Sequence, residues 1–331
     1  MSWSFNTVKS IRFGKGLHGS IGKFQLQLQA ARNTNARVLL ITDPGLTEQT
    51  DIVSRALQYL KSEGIEVKLY NKVQADPPES IVLECTEIAK QFNTNSIIGL
   101  GGGSSLDVAK LVSVLADNRN NNIQLDQIYG VDNIQGSRLP LTLIPTTSGT
   151  GSEVTQVSIV TTGATTKMGC VSSVLLPDIA LMDPELTYNL PPHITAATGI
   201  DAMVHAIEAY TSVNINNNPM SKELAIAALR KMIPAIEVAV HGGSIFNDFA
   251  SSNDNWNENT EYHRYIQARN DMLLGSMWAG QAFANSPVAA VHALAYPIGG
   301  HFKVSHGLSN SLVLPHVLRY NAKTVPKPYA E

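Results

Sequence analysis

Cysteine is scarce in this sequence of 331 residues, and its scarcity excludes one class of protein. Cys85 and Cys170 are the only two cysteines, and neither belongs to a CxxC pair. Small secreted domains that rely on disulfides need several spaced cysteines. We therefore expect two reduced thiols in a cytoplasmic protein.

Long apolar runs and a strong charge of either sign are also missing. No stretch reaches the ~18 consecutive apolar residues of a bilayer-spanning helix. Residues 1–6 contain no basic segment leading into an apolar core, so we expect no signal peptide and no membrane partner. A formal net charge of −3 provides no basic surface for nucleic acid. The remaining composition, 44% hydrophobic and 15% charged, is that of an ordinary globular protein.

The organisation of the chain changes once, near residues 183 to 192. Before this point, short β-branched runs alternate with amphipathic stretches, which is typical of βαβ units and a parallel sheet. After it, long Ala- and Leu-rich segments predict helices. Because the chain exceeds the usual size of a single core, we predict an α/β domain over 1–185 and an all-α domain over 186–331. The predicted strands are 37–41, 66–70, 96–100 and 141–144, and the predicted helices are about 48–63, 79–92, 193–211, 219–240, 261–284 and 308–319, with an exposed loop from His241 to Tyr262.

Asp201 and His205 are one helical turn apart and would share one face of a helix. Such a pair occurs often by chance, but the apolar neighbours at 202–204 would draw this helix inward. A buried carboxylate beside a buried imidazole needs a partner, and a metal ion is one. Imidazoles at His292 and His306 could complete a tetrahedral shell for Fe²⁺ or Zn²⁺.

Two donor-rich segments follow predicted strands in the first half. GGGSSLDVAK at 101–110 places glycines before a helix, whose free N–H groups and positive dipole end suit a pyrophosphate. It is not a GxGxxG fingerprint, and a Gly-rich turn can be purely structural. TTSGTGSEVT at 146–155 offers hydroxyl and backbone donors where ligands bind in open α/β sheets, although a plain polar loop would look similar.

With these segments in view, the chain resembles the iron-containing (group III) alcohol dehydrogenases, which have a dehydroquinate synthase-like fold. Two longer segments also carry the resemblance: DPELTYNLPPHITAATGIDAMVHAIE at 183–208 and VHALAYPIGGHFKVSHGLSNSLVLPH at 291–316. The resemblance covers nearly the whole chain. It implies an α/β N-terminal Rossmann-like dinucleotide-binding domain and an all-α C-terminal metal-binding domain.

The resemblance also implies roles for individual residues. Asp43 matches the acidic residue at the end of the first Rossmann-like strand, where a carboxylate accepts from ribose hydroxyls and repels a 2′-phosphate, so NAD is expected rather than NADP. The implied metal is Fe²⁺, although the same ligands suit Zn²⁺. The implied metal ligands are Asp201, His205, His292 and His306; the implied cofactor residues are Gly102, Gly103 and Ser104 at the phosphates, Thr146, Thr147 and Thr150 in the second loop, and Lys167 near the ribose.

The chain departs from the family pattern at two places. Tyr296 stands where many members carry a second histidine, four residues after the third ligand. We take Tyr296 as the candidate catalytic residue, because its hydroxyl could relay a proton. The alternative is that its ring only packs against the cofactor. Members also continue for some tens of residues past the equivalent of Glu331, so we expect a shortened C-terminus.

The implied reaction is hydride transfer between NAD(H) and a small primary alcohol or its aldehyde, with the metal as Lewis acid. Family members commonly form dimers, so a homodimer is expected. Two other hypotheses stay open. One is a metal-dependent lyase or cyclase on the same fold, as in dehydroquinate synthase. It is disfavoured because Lys303 is the only lysine or arginine between His292 and His306. The other is a catalytically impaired NAD-binding protein.

Overall fold

Two compact units make up the computed structural model of this chain, which describes residues 2–30, 35–120, 123–163, 165–243 and 260–329. The α/β unit consists of Thr7–Thr146 and Ser152–Glu185. The helical unit consists of Leu186–Glu331 together with Met1–Asn6 and Thr147–Gly151. Met1–Asn6 and Thr147–Gly151 both precede residue 185, the predicted end of the first domain. The helical unit therefore includes two segments from the N-terminal half of the chain.

The strands of the α/β unit are β1 Ile11–Phe13, β2 Arg37–Ile41, β3 Glu66–Tyr70, β4 Ser96–Gly101, β5 Gly130–Val131, β6 Leu141–Pro145, β7 Val157–Thr162, β8 Thr166–Val171 and β9 Ile179–Met182. Six of them form a parallel sheet with the order β1-β9-β6-β4-β2-β3. Every residue of the two central strands, β4 and β6, is buried, as is typical of strands covered on both faces. The predicted α/β fold with a parallel sheet is confirmed.

A small second sheet, which was not predicted from the sequence, has the order β5-β8-β7. Strands β7 and β8 pair antiparallel, and β5 joins β8 in parallel. A backbone bridge between Pro78 and Thr161 ties this sheet to the loop that follows β3.

The helices of the α/β unit are α1 Ile21–Ala30, α2 Pro44–Gln49, α3 Ile52–Ser62, α4 Glu79–Gln91 and α5 Gly103–Leu115. The helix predicted over about 48–63 is present as α3, but it begins at Ile52, because residues up to Gln49 belong to α2, a separate helix that was not predicted. Asp43 caps α2 by accepting from the backbone N–H of Leu46 at 2.8 Å, and Pro44 occupies the first turn, where a proline is tolerated. Thr50 is extended and ends α2.

Helix α5 lies closely over β4. A Cβ on Gly99 would lie 2.7 Å from the Cβ of Ala109 and 2.8 Å from Cδ2 of Leu143, so only glycine allows this approach. Leu106 and Leu111 of α5 are fully buried, and burial of each such side chain contributes ~1.5–3 kcal/mol. The start of α5 is therefore held firmly at the carboxyl end of β4.

The helical unit contains α6 Pro192–Thr211, α7 Pro219–His241, α8 Thr260–Asn285, α9 Ala290–Phe302 and α10 His306–Thr324. Helices α6, α7 and α8 pack through small residues such as Ala206, Ala228 and Ala279. The four predicted helices are present, with shifted ends, whereas α9 was not predicted. The predicted loop from His241 to Tyr262 lies mostly outside the described residues; at its ends, His241 belongs to α7 and residues 260–262 belong to α8.

Two further properties concern the cysteines and the length of the helices. Cys85 and Cys170 are both free and both buried in the α/β unit. Among the described helices, none is long and apolar enough to cross a membrane.

Candidate active site

The four predicted metal ligands lie together in the helical unit. Asp201 and His205 are one turn apart on α6, His292 lies on α9, and His306 is the first residue of α10. Ligand atoms of the first three all lie within 4.8 Å of one another. Nε2 of His306 is 3.6 Å from Oδ1 of Asp201, and Nε2 of His292 is 3.7 Å from the same oxygen. Three helices thus bring one carboxylate and three imidazoles to one place.

Close helix packing positions His306. A Cβ on the neighbouring Gly307 would overlap the backbone carbonyl of Ala197, so the start of α10 lies directly against α6. Asp201, His205 and His292 are buried, while the side chain of His306 is 38% exposed. The cluster therefore opens toward solvent on the His306 side.

The charges in this cluster are set by burial and by the neighbouring ligands. Burial alone would raise the pKa of Asp201, but the surrounding imidazoles hold it well below its usual range. Burial lowers the pKa of His205 to about 4, despite the nearby Asp201. Burial would also lower the pKa of His292, but the nearby carboxylates of Asp201 and Glu208 outweigh it and raise this pKa to about 9. The site thus places an ionised Asp201 beside a neutral His205.

A divalent metal fits these residues. Nδ1 of His205 is buried and has no hydrogen-bond partner among the described residues, so the four predicted ligands include an unsatisfied polar atom. Such an atom costs ~1–3 kcal/mol unless a partner is supplied. One carboxylate oxygen with imidazole nitrogens is a donor set that suits borderline divalent ions such as Fe²⁺ and Zn²⁺.

Two polar residues that sequence reasoning missed complete the cluster. Glu208 accepts from Nδ1 of His292 at 2.6 Å. The side-chain amide of Asn310 donates to Oδ1 of Asp201 at 2.5 Å, and its nitrogen lies 3.3 Å from Nε2 of both His292 and His306. Glu208 follows His205 by three residues and Asn310 follows His306 by four. A search for polar residues one turn beyond each ligand would have found both.

Aromatic rings border the cluster. Tyr296 lies one turn beyond His292 on α9, and its ring stacks on His306 with centroids 5.6 Å apart and planes at 15°. The same ring meets His292 edge-on at 6.4 Å. Phe283 of α8 stacks on His205 at 4.3 Å. The structure therefore places the candidate catalytic tyrosine beside two of the four predicted ligands.

Predicted cofactor residues of the α/β unit meet at the carboxyl ends of β2, β4 and β6. Gly101 has φ +148°, and a Cβ on it would lie 2.8 Å from Oγ of Ser105, so this position needs glycine. The backbone N–H of Thr146 donates to the carbonyl of Gly101 at 3.0 Å. Oδ2 of Asp43 lies 3.2 Å from the position of that absent Cβ. Gly102, Gly103 and Ser104 form the N-cap and first two residues of α5.

The remaining predicted cofactor residues lie elsewhere. Thr147 and Thr150 belong to the segment Thr147–Gly151 of the helical unit. There a Cβ on Gly149 would lie 2.6 Å from Cβ of Thr198 on α6, and one on Gly151 would lie 2.6 Å from Cα of Gly280 on α8. This segment therefore packs tightly on two helices. Lys167 lies on β8, where its ammonium forms an ion pair with Asp76.

A buried lysine anchors the residues that follow this segment. The ammonium of Lys110 on α5 donates to Oγ of Ser152 at 2.8 Å, to Oγ1 of Thr155 at 3.2 Å and to the carbonyl of Val157 at 2.6 Å. The hydroxyl of Ser152 donates in turn to Oδ1 of Asp107 at 2.6 Å. Burial lowers the pKa of Lys110 to about 8. Sequence reasoning assigned no role to this lysine.

Family models cover almost the whole chain. The model described as iron-containing alcohol dehydrogenase matches residues 9–184, and that described as the C-terminal part of the Fe-containing alcohol dehydrogenase family matches 195–250 and 252–331. This chain belongs to the iron-containing alcohol dehydrogenase family. The resemblance deduced from the sequence motifs is therefore confirmed.

Individual members of the iron-containing alcohol dehydrogenase family agree in sequence and in fold. Long-chain-alcohol dehydrogenase 1 of Geobacillus thermodenitrificans is 41% identical over 307 residues, which are 93% of this chain and 72% of that protein. The crystal structure of a 1,3-propanediol oxidoreductase has a TM-score of 0.87 at 31% identity, covering 100% of this chain and 78% of that chain. The crystal structure of sulfoacetaldehyde reductase from Bifidobacterium kashiwanohense in complex with NAD⁺ has a TM-score of 0.80 at 27% identity. The match covers 97% of this chain and 77% of that chain.

Proposed function

We propose that this iron-containing alcohol dehydrogenase interconverts small primary alcohols and their aldehydes, with NAD(H) as hydride carrier and one Fe²⁺ per chain. The proposed ligands are Asp201, His205, His292 and His306. The observation that carries the proposal is the convergence of these four side chains from three helices, in a chain of this family. The same four ligands also suit Zn²⁺, so metal analysis is part of the test.

The chemistry divides between the bound groups and the chain. When bound, the metal supplies Lewis acidity to the substrate oxygen and the nicotinamide carries the hydride. The carboxylate of Asp201 supplies negative charge for a cation, and the neutral imidazole of His205 offers a lone pair. The ring of Phe283 stacks on the buried His205, and the ring of Tyr296 stacks on His306, whose side chain stays partly open to solvent. We propose that Tyr296 packs in this way rather than relaying a proton.

The cofactor site proposed in the α/β unit depends on backbone donors and one carboxylate. The N-terminus of α5 at Gly102, Gly103 and Ser104 presents free N–H groups that suit a pyrophosphate. Asp43, beside Gly101, would accept from ribose hydroxyls and repel a 2′-phosphate, which favours NAD. Thr146, Thr147, Thr150 and Lys167 are proposed as further cofactor contacts.

We also propose that the protein acts in the cytoplasm as a homodimer. Its two buried free thiols are compatible with a reducing compartment. The dimer is supported by resemblance to the family.

The test combines metal analysis with an activity assay. The purified protein is loaded anaerobically with Fe²⁺ or Zn²⁺, and NADH absorbance is followed with C2 to C6 alcohols, diols and aldehydes. We expect about one metal ion per chain and turnover that depends on it. Metal-dependent turnover of a phosphorylated acid without NADH change would favour the lyase, and NAD binding without turnover would favour the impaired protein.

A pair of histidines on α10 provides a matched comparison for the ligand assignment. His306→Ala should lose most of its metal and its activity together, because one ligand of a four-ligand shell is removed. His316 is exposed on the same helix, so His316→Ala should keep both. Full metal content in His306→Ala, measured by elemental analysis, would show that the four-ligand assignment is wrong.

A further inference from the structure

We propose that Glu208 is a positioning residue that holds His292 in the tautomer with hydrogen on Nδ1, so that Nε2 keeps its lone pair for the metal. This inference rests on the proposed metal site. Glu208 lies seven residues after Asp201 and three after His205, so all three occupy one face of α6.

The two oxygens of Glu208 have separate partners on α9. Oε2 is 2.6 Å from Nδ1 of His292, and Oε1 accepts from the backbone N–H of Val291 at 2.7 Å. Val291 lies in the first turn of α9, where backbone N–H groups have no partner within the helix. The N-cap residue Ala289 makes no side-chain capping bond. Glu208 therefore holds both the beginning of α9 and the ring that this turn carries.

The ring orientation follows from the chemistry of the two partners. An ionised carboxylate can only accept, so the ring nitrogen that faces it must carry a hydrogen. A metal-bound imidazole keeps one hydrogen, and because that hydrogen stays on Nδ1, Nε2 is the nitrogen left to bind the metal. Nε2 faces Oδ1 of Asp201 at 3.7 Å and the amide nitrogen of Asn310 at 3.3 Å. Its lone pair is thus directed toward the other ligands.

This support distinguishes His292 from the other imidazoles. Nδ1 of His292 has a hydrogen bond to the carboxylate of Glu208, whereas Nδ1 of His205 has no partner among the described residues. Carboxylate partners of metal-bound histidines typically change metal affinity by ~10–100-fold. We therefore expect much of the affinity of this site to depend on Glu208.

Glu208→Gln is a sharp test because it separates the two functions of the side chain. The backbone N–H of Val291 is a fixed donor, so the glutamine must turn its Oε1 toward it and keep the helix cap. Its NH₂ group then faces Nδ1 of His292 and donates to it, which favours hydrogen on Nε2, the wrong tautomer for metal binding. A residue that merely caps α9 would tolerate this change.

The experiment measures metal affinity at one fixed pH by chelator competition, using Zn²⁺ as the probe. We expect Glu208→Gln to bind Zn²⁺ at least ~10-fold more weakly than the wild type. Glu223→Gln, an exposed position on α7, should bind as the wild type does. In the Zn²⁺-loaded wild type, a ¹⁵N-edited spectrum should show a slowly exchanging His292 Nδ1–H proton, and Glu208→Gln should weaken or shift it.

The outcomes separate the two proposals. If the wild type binds no stoichiometric metal, the proposed metal site fails, and this inference fails with it. If the wild type and Glu208→Gln bind Zn²⁺ within twofold and show the same Nδ1–H signal, the site stands and the role of Glu208 is refuted. If Glu208→Gln does not fold, Glu208→Asp takes its place. Its shorter carboxylate cannot span both partners, so unchanged Zn²⁺ affinity would likewise refute the role.

Discussion

Lys110 donates to the hydroxyl oxygen of Ser152 at 2.8 Å in the interior of the α/β unit, where the lysine is fully buried. The same ammonium also holds Thr155 and the carbonyl of Val157, and it lies 3.8 Å from Oδ1 of Asp107. This one charge therefore ties residues 152–157 to helix α5.

Removing this charge should destabilise the α/β unit strongly. Lys110→Met removes the cation beside the Asp107 carboxylate and leaves three oxygen acceptors without their donor. Breaking a buried pair in this way costs about 3–5 kcal/mol. We expect a loss of that order in the free energy of urea unfolding, followed by circular dichroism. Lys90→Met removes an exposed ammonium 4.0 Å from Glu87 and should cost less than about 1 kcal/mol. Equal losses in the two variants would contradict this account.

Glu153 should make stability depend on pH. Burial raises its pKa from an ordinary value near 4.5 to about 7, although Lys110 acts in the opposite direction. The folded protein then holds this proton more tightly than the unfolded chain, so stability falls as pH rises from about 4.5 to about 7 and stays reduced above that. Glu153→Gln stays neutral and should lack this loss.

The expected difference can be measured by urea unfolding between pH 5 and 8. Over this range Glu153→Gln should gain stability relative to the wild type by on the order of 3 kcal/mol. Glu237→Gln, which removes an exposed carboxylate on α7, controls for the loss of one charge. Parallel pH profiles for the wild type and Glu153→Gln would refute the assignment.

Asp43 should determine the choice between NADH and NADPH. Because Asp43 also caps α2, Asp43→Ser is the informative change: serine keeps a capping oxygen and removes the charge. We expect the ratio of kcat/KM for NADPH to that for NADH to rise by about 10-fold, equivalent to ~1.4 kcal/mol of removed repulsion. Asp51→Ser, at the start of α3, should leave the ratio unchanged. An unchanged ratio in Asp43→Ser would mean that this carboxylate does not face the ribose.

Tyr296 should contribute through its ring. Tyr296→Phe keeps the stacking on His306 and loses only a hydroxyl, so we expect kcat to fall by less than about 5-fold, the value of one hydrogen bond of ~1 kcal/mol. Metal content and NADH affinity should not change. Tyr320→Phe, at an exposed position on α10, is the matched control. A fall of ~10²-fold, typical of lost acid–base catalysis, would instead assign Tyr296 to proton relay.

Features determined by local pattern could be predicted from the sequence. Strands β2 and β3 have the predicted bounds 37–41 and 66–70. The buried β2 is a continuous apolar run, and the edge strand β3 alternates exposed and less exposed residues, so both patterns have clear ends. The spacing of Asp201 and His205 placed both on one face of a helix, as observed. Helix α9 escaped prediction because Pro297 and two glycines interrupt its pattern, while packing against α10 maintains it.

Features created by packing between distant elements could not be predicted. Glu208 supports His292 only because α6 and α9 lie together, 84 residues apart in sequence. The beginning of α2 depends on the capping bond of Asp43, and its separation from α3 depends on the extended backbone at Thr50; the hydrophobic pattern contains neither. Likewise, Gly149 fits closely against Thr198 of α6, and a sequence of small residues does not reveal which residue it will contact.

The discontinuity of the helical unit has a consequence for chimaeras. A hybrid joined at residue 185 would combine α6 and α8 of one parent with Thr147–Gly151 of the other. This segment packs so closely on those two helices that there is no room for a Cβ at Gly149 or Gly151. Recombination between members of this family should therefore preserve folding only when Met1–Asn6 and Thr147–Gly151 are inherited together with the C-terminal half.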